Sequence, residues 1–229
     1  MTTAIVGATG LVGSNFLALS RTAELPGIST VVAITRRPVK NDLLATSGGG
    51  KNKVSNIVTA DIAGAIPQTT KILFSGLGTT RAAAGGFDKQ YKIDHDLNLE
   101  IAKAAKTAGV STYVLVSSKG ASVDSNFGYT RMKGELDRDV AAIGFERTII
   151  LRPAMILGKR EKSHGALESS AQGLGSVLTG VPFVGKWICV DAQDIAKAAL
   201  NAIQKGGSGV EIYENEEIRK LAQEYNAQA

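Results

Sequence analysis

Short apolar runs and longer stretches with helical spacing alternate along most of the chain. Ala4-Ile5-Val6-Gly7, Val31-Val32-Ala33-Ile34, Ile72-Leu73-Phe74, Tyr113-Val114-Leu115-Val116 and Thr148-Ile149-Ile150-Leu151 read as buried strands. Ile57-Val58, leading to Asp61-Ile62, reads as the third strand in chain order. Leu11 to Ser20, about Phe87 to Ala108 and about Tyr129 to Ile143 read as helices; in the second, Ile93, Leu97, Ile101, Ala104, Ala105 and Ala108 share one face. After Pro153 the alternation loosens. Gly158 to Gly185 mixes charges and glycines around one helical stretch, Ala166 to Leu178. Order returns with a helix from Asp191 to Ile203, a strand at Val210 to Tyr213 and a helix from Glu216 to Tyr225. Strands alternating with helices predict an α/β fold with a doubly wound parallel sheet and right-handed crossovers, a Rossmann fold. We expect a single domain, 1–229, in which residues 153–187 form a small C-terminal substrate lid.

Composition narrows the class. The chain has 229 residues, 44% hydrophobic and 21% charged, enough for a sizeable core. Cys189 is the single cysteine, which rules out an internal disulfide and points to a reducing compartment. The most apolar late stretch, Gly173 to Val190, is broken by glycines, Pro182 and Lys186 and falls short of the roughly 20 apolar residues of a membrane span. No secretory signal or Arg-rich presequence precedes the first strand, so a cytoplasmic location is expected. The net charge is +5, with basic clusters at Arg36-Arg37, Lys51-Asn52-Lys53 and Lys159-Arg160-Glu161-Lys162. Few aromatics are interleaved with them, which disfavours a nucleic-acid surface. A phosphate-rich cofactor, or at most peripheral contact with an anionic membrane, accounts for the charge. No spacing of His, Cys, Asp and Glu suggests a metal site.

Against that background the opening stretch is decisive. Gly7-Ala8-Thr9-Gly10-Leu11-Val12-Gly13 fits G-x-x-G-x-x-G between a strand and a helix, the context a dinucleotide-binding fingerprint requires. Gly7 lets the chain turn off the strand, Gly10 lets backbone approach a pyrophosphate, and Gly13 lets the helix pack closely; the helix N-terminus offers N–H groups and a positive dipole end. Strand two ends in Thr35-Arg36-Arg37, where an NAD site usually carries an acid for the ribose 2′-hydroxyl. Guanidinium groups there suit a 2′-phosphate instead, so NADP(H) is expected over NAD(H). Asp61 and Ile62 are expected to flank the adenine, and Leu77 and Gly78 to pass the cofactor's middle.

The second motif is Tyr129-Thr130-Arg131-Met132-Lys133, a Y-x-x-x-K opening the helix after Ser117-Ser118. Residues i and i+4 share a helix face, so Tyr129 and Lys133 meet. The ammonium and an oxidised nicotinamide are expected to lower the phenol pKa toward neutrality. Either Ser117 or Ser118 is placed to polarise a carbonyl, and Ser118 is favoured. His95, flanked by Asp94 and Asp96, reads as a surface helix histidine, and Cys189 as core.

With these motifs the chain resembles the short-chain dehydrogenase/reductase superfamily. Leu77-Gly78-Thr79-Thr80-Arg81, Ser117-Ser118-Lys119-Gly120-Ala121, Tyr129 to Glu135 and Leu151-Arg152-Pro153 resemble its atypical branch, the human HIV Tat-interactive protein family and its fungal mitochondrial outer-membrane relatives. The resemblance implies NADP(H) contacts from Thr9, Gly10, Leu11, Val12, Arg36, Arg37, Leu77, Gly78, Tyr129, Lys133, Ile156 and His164. It also implies Tyr129 as proton donor/acceptor and a peripheral place on the mitochondrial outer membrane. It departs at Lys119, where many extended relatives have a third hydroxyl residue. The resulting expectation is an NADP(H)-dependent oxidoreductase acting on a small or medium apolar carbonyl or quinone. The rival is an NADPH-binding regulatory or scaffold protein that docks a protein partner.

Overall fold

The computed structural model describes residues 1–25, 27–44, 50–157 and 189–228, with side chains through residue 225. Seven strands form one parallel sheet in the order β3-β2-β1-β4-β5-β6-β9. They are β1 (Thr2–Val6), β2 (Thr30–Thr35), β3 (Lys53–Val58), β4 (Thr70–Ser75), β5 (Thr112–Val116), β6 (Arg147–Arg152) and β9 (Gly209–Glu214). A separate pair, β7 (Met155–Leu157) and β8 (Cys189–Asp191), is also parallel and was not expected. The order runs outward from β1 in both directions, the doubly wound arrangement the sequence predicts.

Alternation along β1 explains the two layers. Ile5 faces one core with Phe16 and Leu17 of α1 (Leu11–Ser20) and Ile195, Ala199 and Leu200 of α7 (Ala192–Lys205). Ala4 and Val6 face the other, with Ile101 and Ala105 of α5 (Asn98–Thr107) and Leu136 and Val140 of α6 (Gly128–Ala142). All five residues of β1 are buried, as a central parallel strand requires. Phe16 stacks on Phe74 of β4 at 4.0 Å between ring centroids, which seats α1 on the sheet. The remaining helices are α2 (Asn41–Leu44), α3 (Arg81–Ala84), α4 (Phe87–Tyr91) and α8 (Asn215–Gln228).

Two expectations are corrected. The third strand is Lys53–Val58, and Asp61-Ile62 lie beyond it. The apolar pair Ile57-Val58 is only the strand's end, and its first half alternates polar and apolar as an edge strand does. The long helix from Phe87 is not one regular α-helix either. Lys92–Leu97 winds as a π-helix between α4 and α5, and that local change of pitch turns Asp94 and His95 inward. His95 is therefore buried, not superficial. Its Nδ1 lies 3.0 Å from Asp96 Oδ1, its Nε2 lies 3.2 Å from Asp139 Oδ2, and its ring stacks on Tyr91.

Candidate functional site

The carboxyl ends of β2, β1, β4 and β5 lie side by side, and the chemistry-bearing residues follow each of them. After β1, Gly7 adopts φ +80°, a conformation that glycine takes without strain. A Cβ there would stand 2.6 Å from the Gly76 carbonyl carbon, so the loop after β1 and the loop after β4 touch backbone to backbone. A Cβ on Gly13 would stand 2.2 Å from Gly7 O, which is how α1 comes so close to the turn. Gly10, by contrast, has only Gly7 O near a notional Cβ, at 3.1 Å, and open space otherwise. Gly10 begins α1 with no side-chain cap and no acid in the first turn. This uncapped N-terminus, behind a cradle that side chains would fill, fits a pyrophosphate. Thr9 is exposed, Gly10 and Leu11 half-buried, and Val12 packs into the core.

Arg36 and Arg37 follow Thr35 as expected, both exposed and without an ion-pair partner among the described residues. Asp61 is exposed, but its Oδ1 accepts the Gly64 N–H at 2.8 Å, and Ile62 is buried in the core. Their side chains are thus committed to a turn and to packing. Leu77 is half-buried and Gly78 exposed. Their loop is held by a stripe of polar residues one turn apart, Gln90, Asp94 and Asn98, all buried. Asn98 donates to Leu77 O (3.2 Å) and bonds Ser75 Oγ (2.7 Å). Asp94 accepts the Thr79 N–H (2.7 Å), and Gln90 donates to Thr79 O (3.0 Å).

Around the first turns of α6 the site is built from ionisable side chains. Lys133 is buried and donates to Val116 O at 3.3 Å. Burial pushes its pKa below the ordinary lysine value, while Asp94 and Asp137 pull it back up. Burial pushes both carboxyls up; Lys133 opposes this at both, with help from the Thr79 N–H at Asp94 and from Ser117 and Arg152 at Asp137. Arg152 Nε donates to Asp137 Oδ2 (2.9 Å), and its Nη1 to Glu214 Oε1 (3.3 Å).

Tyr129 is half-exposed as a residue, yet its phenol end lies deep enough that desolvation raises its pKa above 10; the nearby Ser118 hydroxyl opposes this and the Asp94 charge adds to it. At the phenol, desolvation is the dominant influence, and Lys133 donates to Val116 O. The structure separates the two serines. Ser117 is buried beside Asp137, whereas Ser118 is half-buried beside the phenol. Lys119 is exposed, with its N–H on Pro153 O. Ile156 lies on β7 and is exposed with Met155 and Leu157. Cys189 is partly exposed on β8, not core. His164 and the rest of 158–188, including the expected helix and most of the expected lid, lie outside the described residues.

Sequence reasoning missed Asp94, Asp137 and Arg152. The i, i+4, i+8 spacing of Gln90, Asp94 and Asn98 was a signal for the first. Asp137 follows Lys133 at i+4, a signal for the second. Arg152 was noticed only as part of a family motif.

Comparison with known proteins agrees with this architecture. No family model matches the chain. It is 45% identical over 214 residues to the mitochondrial protein fmp52 of Emericella nidulans, covering 90% of this chain and 88% of that one. The chain belongs to the Fmp52 family. Its relative from Eremothecium gossypii, also named mitochondrial, is 38% identical over 238 residues with both chains covered in full. Among solved structures, UDP-glucose 4-epimerase from Bifidobacterium longum, in complex with NAD+ and UDP, superposes with a TM-score of 0.69 at 13% identity, covering 93% of this chain and 77% of that one. MoeE5 in complex with UDP-glucuronic acid and NAD gives 0.66 at 14% identity, covering 94% and 76%. At such identities the shared feature is the fold. The Fmp52 relatives match the fungal side of the resemblance drawn from the motifs. No helix among the described residues is long and apolar enough to cross a membrane.

Proposed function

We propose that this Fmp52-family chain is an NADP(H)-dependent oxidoreductase of the atypical short-chain type, acting on an apolar carbonyl or quinone. The observation that carries the reading is the nearness of the Tyr129 phenol to Ser118, one helical turn from buried Lys133, at the same carboxyl edge of the sheet as the glycine loop Gly7 to Gly13. The solved neighbours hold NAD, and the exposed Arg36 and Arg37 favour the 2′-phosphorylated form.

The chemistry that a bound dihydronicotinamide supplies is hydride donation to a carbonyl carbon. Tyr129 donates its phenolic proton to the carbonyl oxygen, and Ser118 donates a hydrogen bond to the same oxygen. Lys133, fixed by Val116 O, would hold the nicotinamide ribose hydroxyls, and its positive charge would steady the phenolate left behind. Exposed Phe127, Met155, Ile156 and Leu157 offer an apolar approach to Tyr129. The family resemblance adds contacts from Ile156 and His164, and Asp61 and Ile62 would contribute through backbone near the adenine.

The alternative, an NADPH-binding regulatory or scaffold protein with little turnover, draws on the raised pKa of the Tyr129 phenol and on exposed Lys119 beside Ser118. Either role is compatible with the mitochondrial association that the names of the relatives support, and the net charge of +5 suits a peripheral place on the outer membrane.

The test is titration of the purified chain with NADPH and NADH, then NADPH oxidation against a panel of aldehydes, ketones and quinones. Tyr129→Phe is expected to keep NADPH affinity within about twofold and to lower turnover about 10³-fold, the size of a lost general acid. Tight NADPH binding with no turnover on any panel member favours the regulatory reading.

A further inference from the structure

Two exposed arginines in a turn discriminate between cofactors only if the turn holds them in place, because ordering a mobile loop on binding offsets much of the contact energy. In this chain the restraint comes from the neighbouring strand. Asn56, on β3, donates through Nδ2 to Ala33 O (2.9 Å) and to Thr35 Oγ1 (2.8 Å). Its Oδ1 accepts the N–H of Val39 at 3.0 Å. One carboxamide thus grips the chain immediately before Arg36 and immediately after Pro38. Both gripped residues are buried, Thr35 at 3% exposure and Val39 at 5%, whereas the three residues between them are exposed. The ordinary strand pairing of β2 with β3 ends at Thr35 and Val58, so this side chain extends the restraint past the sheet.

We infer that Asn56 is a positioning residue for recognition of the cofactor's 2′-phosphate, an inference that rests on the NADP(H) reading above. Its chemistry suits the task. An amide is donor and acceptor at once, so it satisfies both the strand-end oxygens and the Val39 N–H. An aspartate would keep the acceptor, lose the donor and add a negative charge beside two guanidinium groups meant for a phosphate. An alanine would leave the buried Val39 N–H unpaired, and the turn would shift to satisfy it.

The experiment compares the full chain with Asn56→Ala, Asn56→Asp and Arg36→Ala/Arg37→Ala, by fluorescence titration with NADPH and with NADH and by hydrogen exchange at the Val39 amide. Asn56→Ala should weaken NADPH about tenfold, a shift of about 1.4 kcal/mol, leave NADH within about twofold, and speed exchange at Val39. Asn56→Asp, the near-isosteric variant, should lose at least as much NADPH affinity. Added to the double arginine variant, Asn56→Ala should cost nothing further. Equal losses for NADPH and NADH would mean a purely structural role and overturn the inference. So would an NADPH preference that the arginine variant removes and both Asn56 variants keep. A wild-type chain that binds both cofactors equally overturns the cofactor reading, and this inference with it.

Discussion

At the Gly7–Gly13 loop the chain shapes its proposed cofactor cradle by leaving side chains out at three positions; around Tyr129 it shapes the proposed catalytic corner by bringing charged side chains in. The first region is local. Three glycines within seven residues set the turn, the approach to Gly76 and the seating of α1, and every partner is backbone. The second draws on four elements. Lys133 and Asp137 come from α6, Asp94 from the π-helical stretch and Arg152 from the end of β6. Each of these groups is largely removed from water, and each is tolerable there only because of the others. A backbone cradle costs little to keep and binds a phosphate in any protonation state. A cluster of buried charges is costly to assemble, but it can tune a proton.

The two regions should therefore fail differently. The largest effect is expected at the loop. Gly13→Ala drives a methyl into Gly7 O and should weaken NADPH binding by more than about 100-fold, together with a stability loss of about 2 kcal/mol, read by cofactor titration and thermal unfolding. Next comes Arg152→Ala, which takes the guanidinium partner away from the buried Asp137 carboxylate. A loss of about 3 kcal/mol in denaturant unfolding is expected, and Asp137→Leu/Arg152→Met should recover most of it. A double variant as unstable as the single one would show that packing, not charge pairing, holds this corner.

The smallest effect is one of pH. The Tyr129 phenol stands above its ordinary value of 10, so it is protonated through the neutral range. Carbonyl reduction, measured as kcat/KM, should therefore be flat near neutrality with respect to this group and fall only on the alkaline side. Oxidation, which needs the phenolate, should rise in the same range. A reduction rate already falling near pH 7, traced by Tyr129→Phe to this phenol, would place the ionisation elsewhere than the structure does.

The same contrast explains what could be read from the sequence. Gly7, Gly10 and Gly13 announce themselves because their geometry is set by neighbours a few residues away. The βα alternation is legible for a similar reason: each buried strand is a contiguous apolar run. Lys133 was found, but not what surrounds it, because Asp94 lies 39 positions before it and Arg152 lies 19 after, and only the fold joins them. The π-helical pitch at Lys92–Leu97 hid Asp94 and His95, since a regular 3.6-residue period puts other residues on the inner face. The start of β3 was missed because half its positions are polar, and the β7–β8 pair because three-residue strands carry too little pattern. Asn56 was invisible, one asparagine whose role depends on bonds to Ala33, Thr35 and Val39 across a strand boundary.

The small β7–β8 pair has a consequence for how α7 is aimed. It clasps Met155 to Cys189 and Leu157 to Asp191, so the strand that follows β6 also fixes where α7 begins. Asp191 serves twice there, closing the pair through its backbone and capping the helix by accepting the Gln193 N–H at 2.8 Å. A three-residue strand thus acts as a hinge pin, setting the direction in which α7 runs across the layer it shares with α1.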